Sequence, residues 1–132
     1  MNRQKLLKNF NRCYDWEEKY LYIIELGEKY AILPASDQID KYAVIGCQSR
    51  VWVKISLADE KVILSVNSDA AIVRGLAAML LLLLQGMTLR EIRNFDIAQA
   101  LLPFDLKAQI TPTRDQGMQA MLKKIYKQLD SL

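Results

Sequence analysis

The chain has 132 residues, of which 18 are Lys or Arg and 15 are Asp or Glu, for a net charge of +3, and 52% are hydrophobic. That size and balance suit one folded domain, argue against disorder, and give no basic block interleaved with aromatics, so a nucleic-acid partner is not expected. There is no histidine and there are only two cysteines, which excludes Ser-His-Asp and Cys-His nucleophiles, every His-containing metal site and the usual structural zinc site.

The first residues, Met1 to Phe10, lack the apolar core of a signal peptide. The longest apolar run, Leu76 to Leu84, is about half of the roughly 20 residues that a membrane span needs. A cytoplasmic protein is the expectation, with no membrane partner and no Cys13–Cys47 disulfide, because thiols stay reduced in the cytosol.

Leu6, Phe10 and Cys13 fall on one face of a short helix over residues 3–13, and Cys13 on that face reads as a small buried hydrophobe. Asp15-Trp16-Glu17-Glu18 is a helix start in which Asp15 caps and Glu18 closes a capping box. Trp16, Tyr20, Ile23, Ile24 and Gly27 then make an apolar stripe, and the helix runs to about Tyr30, before Pro34.

Residues 41–45 read as a short strand that Gly46-Cys47-Gln48-Ser49 breaks. Val51, Val53 and Ile55 alternate with Trp52, Lys54 and Ser56, and Val62, Leu64 and Val66 with Ile63, Ser65 and Asn67, so two strands joined at Ala58-Asp59-Glu60-Lys61 read as an antiparallel hairpin. The turn lacks the favoured Asn-Gly or Asp-Gly pair.

Ser68 is placed to cap the next helix, with Asp69 at the positive end of its dipole. From Ala70 to Leu84 the only charge is Arg74, and Gly86 is placed for a left-handed cap. A helix apolar on nearly every side is buried on nearly every side, so this is the central helix. Thr88-Leu89-Arg90-Glu91 is a capping box with Met87 and Ile92 as its hydrophobic staple. A short helix reaches about Asn94, another covers Ile97–Leu101, and Pro103 stops it. Thr113-Arg114-Asp115-Gln116 reads as a further capping box, followed by the stripe Met118, Met121, Leu122, Ile125 and Leu129. The fold class is α+β: a small antiparallel sheet packed on a central apolar helix and flanking helices.

One group stands out for chemistry. Cys47 follows Gly46, which permits an unusual backbone and clears bulk beside the thiol, and it lies on a break between strands, where functional groups are commonly displayed. Arg50 is near in sequence, and a cation favours the thiolate. These residues leave two readings open, a functional thiol or a buried cysteine beside a turn glycine. Asp69 is by default an N-terminal helix charge. Arg114 is a cation in a first turn, an unfavourable place that hints at a specific partner. There is no Gly-rich phosphate loop.

Three stretches are characteristic: Trp16-Glu17-Glu18-Lys19-Tyr20-Leu21-Tyr22-Ile23-Ile24-Glu25-Leu26-Gly27; Gly46-Cys47-Gln48-Ser49 with Val51-Trp52; and Ser68-Asp69-Ala70-Ala71-Ile72-Val73 with Gly75. A fourth, Thr111-Pro112-Thr113-Arg114 with Gln116-Gly117, follows near the C-terminus. In this order the chain resembles the SufE family of sulfur-acceptor proteins, and Gly-Cys-Gln-Ser looks more like SufE than its paralogue CsdE.

The resemblance implies a fold shared with the NifU-like scaffold proteins. It implies a SufS-type cysteine desulfurase as partner, carrying the pyridoxal phosphate, while this chain holds no cofactor or metal. Cys47 would accept persulfide sulfur and pass it to a SufBCD-type Fe–S scaffold complex. Gly46, Gln48, Arg50, Asp69 and Arg114 would position the loop or touch a partner, and self-association as a homodimer is compatible with the family. Such a protein is a carrier and activator, not an enzyme. The exchange needs one accessible thiolate and a labile donor sulfur, and no histidine, metal or second cysteine. The loop is expected to tuck its thiol against apolar residues and to swing outward on docking. The competing reading is a pure interaction module in which Cys47 is structural. A stand-alone thiol redox enzyme is disfavoured, because no Cys-x-x-Cys pair is present.

Overall fold

The computed structural model describes residues 1–132. Asn2 opens the first helix, α1 (Arg3–Arg12), by accepting the Lys5 N–H at 2.8 Å, and Leu6 and Phe10 are its buried residues. Cys13 is the C-terminal cap of α1 and is only half-buried, with Sγ 3.6 Å from the Asn9 carbonyl. It is therefore not the core residue expected, because the chain turns away from the core at the helix end.

Helix α2 (Trp16–Tyr30) starts on Asp15, whose carboxylate accepts the Glu18 N–H at 2.9 Å. Glu18 reaches one residue further back than a capping box requires and accepts the Tyr14 N–H. Only Ile23, Leu26 and Gly27 are fully buried, so the aromatic end of the expected stripe lies at the core's edge.

The expected strand at 41–45 is not formed. Asp40–Tyr42 make a 3-10 turn, and pairing reduces to one bridge, Ala43 with Trp52, plus the Val44 N–H donating to the Val51 carbonyl at 2.9 Å. The pairing stops because the edge beyond Trp52 is occupied by a side chain. Gln128 donates through Nε2 to the Val53 carbonyl at 2.7 Å and accepts the Ile55 N–H at 2.9 Å.

Strands β1 (Val51–Ala58) and β2 (Lys61–Ser68) form the antiparallel hairpin, in register from Val51 opposite Ser68 to Ala58 opposite Lys61. Asp59 and Glu60 both take positive φ, 51° and 68°. That is the backbone of a type I′ turn, whose twist matches the strands, made here without glycine. Val51, Val53 and Ile55 face the core with Val62, Leu64 and Val66.

Helix α3 (Ala71–Leu84) has ten buried residues and runs through the middle of the molecule, against α2 on one side and β2 on another. Gly27 and Gly75 let α2 and α3 approach to backbone contact: a Cβ on Gly27 would sit 2.7 Å from the Gly75 nitrogen. Gly86 ends this region at φ +80°.

The start of α3 differs from expectation. It begins three residues after Ser68, with Ala70 as a cap that offers no side chain. Ser68 still pairs in β2, and its hydroxyl is committed to the Arg50 carbonyl and the Ala70 N–H.

The rest of the chain covers the other faces. Helix α4 (Leu89–Arg93) has the complete Thr88–Glu91 capping box, at 3.1 Å in both directions. Helix α5 (Ile97–Leu101) is capped by Asp96 and continues into short 3-10 turns around Phe104 and Leu106. Helix α6 (Pro112–Asp130) buries the full expected stripe of Met118, Met121, Leu122, Ile125 and Leu129. Its cap is Thr111, not Thr113, because proline fits the first helical position, where its fixed φ and missing N–H cost nothing. No helix is long and apolar enough to cross a membrane.

Candidate functional site

The loop between residues 43 and 50 is held at both ends. At its start Val44 is buried and bonded to Val51. At its end the Arg50 N–H donates to Asp69 Oδ1 at 3.0 Å, the Asp69 N–H donates to the Arg50 carbonyl at 3.1 Å, and Ser68 Oγ donates to the same carbonyl at 2.7 Å. Asp69 is thus an anchor for the loop. The expected placement of its carboxylate at the dipole of α3 is corrected by this, since the helix begins later and the carboxylate points to Arg50.

Between the anchors, Gly46 has φ +99°, a conformation that side chains other than glycine rarely adopt. It turns the chain so that Cys47 points inward, while Ile45 stands 90% exposed on the outside. Apolar Val44 and Val51 therefore back the loop from the core, but Ile45 does not.

The Cys47 thiol lies 3.6 Å from the Gly117 carbonyl of α6, to which its S–H donates, across 70 positions of sequence. It sits at a cavity of about 360 Å³. Its lining is part apolar, from Ile72, Val73, Leu76 and Met121, and part polar, from Gln48, Ser49, Thr111, Thr113 and Arg114. Burial pushes the Cys47 thiol above its ordinary value, and no charge offsets it. The expected help from Arg50 is corrected on this point: its side chain is exposed and lies outside the cavity wall, although its backbone holds the loop.

Arg114 is brought to the cavity by α6. Its N–H donates to Thr111 Oγ1 at 3.2 Å. Its guanidinium donates to the Tyr20 hydroxyl at 3.5 Å and lies 5.7 Å from the centre of that ring. Tyr20, read from the sequence as core packing, is the contact that holds Arg114 half-buried beside the cavity.

Gly117 is the residue that sequence reasoning missed as a site component. It sits in the interior of α6, where glycine costs about 1 kcal/mol relative to alanine. A Cβ there would lie 3.5 Å from Cys47 Sγ and face nothing closer. A partial signal was available, because an isolated glycine inside a helical pattern costs stability against alanine and so asks for a packing or functional reason. What approaches is visible only in the folded chain.

The structure thus brings Cys47, Gln48 and Arg114 to one cavity, with Gly46 and Asp69 shaping the loop and Arg50 contributing backbone alone. The arrangement offers a single half-buried thiol, an apolar shelter and one guanidinium.

The fold is similar to that of a solved chain described as the solution structure of a hypothetical protein from Thermus thermophilus, with a TM-score of 0.77, 21% identity, and coverage of 98% of this chain and 93% of that one. At that identity the likeness speaks for the fold. Residues 4–129 match the family model SufE, described as an Fe-S metabolism associated domain. That match spans nearly the whole chain, including the Cys47 loop, Asp69 and the Arg114 segment, and on it the chain belongs to the SufE family.

Proposed function

We propose that this protein accepts persulfide sulfur on Cys47 from a SufS-type cysteine desulfurase, stimulates that enzyme by removing its product, and delivers the sulfur to a SufBCD-type Fe–S scaffold complex. The observation that carries the reading is the Cys47 thiol at the mouth of a half-apolar cavity, on a glycine-led loop, within a chain of an Fe–S metabolism family.

In the step itself the Cys47 thiolate attacks the outer sulfur of the desulfurase persulfide. A new S–S bond forms on Cys47, the S–S bond on the donor breaks, and the donor cysteine leaves as thiolate. No net oxidant is needed. Burial favours the protonated form of the resting thiol, so docking is to draw the loop out of its cavity before attack, with Gly46 as the pivot. Pyridoxal phosphate belongs to the desulfurase. On this reading the protein works in the cytoplasm as a carrier, not as an enzyme, and its Gly-Cys-Gln-Ser loop looks more like SufE than CsdE.

The test is intact-mass measurement after incubation with desulfurase and cysteine. The expected result is a gain of one sulfur, lost in Cys47→Ser and retained in Cys13→Ser. A parent chain that gains no sulfur, or a Cys47→Ser variant that still stimulates turnover fully, defeats the proposal. The raised thiol and the exposed Ile45 beside it favour a second reading, an interaction module with a structural Cys47. In that case stimulation survives Cys47→Ser.

A further inference from the structure

We infer that Gly117 is a positioning residue that reserves, inside α6, the space occupied by the outer sulfur once Cys47 is persulfidated. The inference rests on Cys47 being the sulfur carrier and adds where the carried sulfur is kept.

Three observations converge. The thiol in its resting pose already lies against Gly117, at 3.6 Å from its carbonyl oxygen. A methyl at Gly117 would be in ordinary contact with Sγ, at 3.5 Å, so the bare thiol tolerates alanine there. Gly117 also lines the cavity that Cys47 opens onto, next to Arg114 and Met121.

A persulfide extends the side chain by one S–S bond of about 2.0 Å. The added sulfur has to fit between Sγ and the neighbouring wall, and a Cβ on α6 takes part of that room. Alanine is the better helix residue, so glycine at this position is explained by what it leaves empty. The cavity that would receive the outer sulfur, anionic when deprotonated, is also lined by Arg114, Thr111 and Thr113. Ile72, Val73 and Leu76 line the same cavity and give the sulfur apolar contact.

The test loads the sulfur chemically, so that it does not depend on the desulfurase. The Cys47 thiolate attacks hydrogen disulfide; the new Cys47 S–S bond forms, the S–S bond of the reagent breaks, and HS⁻ leaves. Intact mass confirms the loading in a Cys13→Ser background. Alkylation by iodoacetamide is then timed for the loaded and unloaded forms of the parent, Gly117→Ala and Gly117→Ser chains.

The expected result is a persulfide that alkylates severalfold faster in both variants, an unloaded thiol that alkylates at the parental rate, and a thermal midpoint in Gly117→Ala at or above the parent's. Acceleration of both forms alike shows a general loosening of the loop and overturns the inference, as does a loaded rate equal to the parent's. A chain that loads from hydrogen disulfide but never from desulfurase defeats the acceptor role and leaves these rates to judge Gly117 separately.

Discussion

Arg50 and Asp69 exchange backbone and side-chain bonds across the two ends of the hairpin: Asp69 Oδ1 accepts the Arg50 N–H at 3.0 Å, and the Asp69 N–H returns to the Arg50 carbonyl at 3.1 Å. Neither bond uses the arginine's charge. The pair ties the far end of the Cys47 loop to the residue before the cap of α3. Asp69→Ala removes only the carboxylate bond, which on an exposed backbone donor is worth about 1 kcal/mol or less. The expected outcome is faster alkylation of Cys47 with little change in the thermal midpoint, while Asp69→Asn, which keeps the acceptor oxygen, stays close to the parent. An Asp69→Ala rate equal to the parental one would show that the loop is held by other contacts.

The buried thiol also predicts a pH profile. Burial raises the Cys47 pKa above its ordinary value of 9.0, so the protonated form is the one the fold favours. Unfolded chain ionises first as pH rises. The contribution to stability is therefore whole below the unfolded pKa and declines as pH climbs from there toward the folded pKa. Alkylation of Cys47, followed by peptide mass, is expected to be slow near neutrality and to rise with a midpoint above that of a free thiol. A midpoint below it would mean that a cation reaches the sulfur.

Gln128 closes the exposed edge of β1 with two bonds, to the Val53 carbonyl and the Ile55 N–H. Gln128→Ala leaves both backbone groups without their partner and is expected to cost about 1–3 kcal/mol in chemical denaturation. It also uncovers a strand edge, the usual template for pairing with another chain. Greater concentration-dependent association by light scattering should accompany the loss. Stability unchanged by the substitution would show that water replaces the amide at no cost.

Gly75 is where α3 meets α2, and a Cβ there collides with the Ile23 carbonyl. The obstacle is backbone, which cannot rotate aside. Gly75→Ala is expected to destabilise by more than the roughly 1–3 kcal/mol typical of overpacking, read as a lower denaturation midpoint. Gly86→Ala meets no atom within 4 Å but must hold φ +80°, so its smaller loss isolates the conformational part.

Much of this molecule was legible from local pattern. The hairpin, the buried run of α3, the Thr88 box and the stripe of α6 each repeat with the period of the element they form, and a period is a property of neighbouring residues. In two places where the sequence misled, a distant group had taken over a local one. Residues 41–45 have strand character, but Gln128 occupies the edge they would need. Ser68 and Asp69 look like a helix start, but both are bonded to Arg50.

By itself the sequence determined an α+β fold, the absence of any histidine partner for a thiol, and a cysteine set after a glycine on a loop. The tertiary structure alone decided that this thiol is half-buried against α6, that Arg114 lines its cavity while Arg50 does not, and that Gly117 lies beside it. The physical reason is separation along the chain. Cys47 and Gly117 are neighbours only because the hairpin and α6 pack on the same core, and no local pattern encodes a contact between residues 70 positions apart.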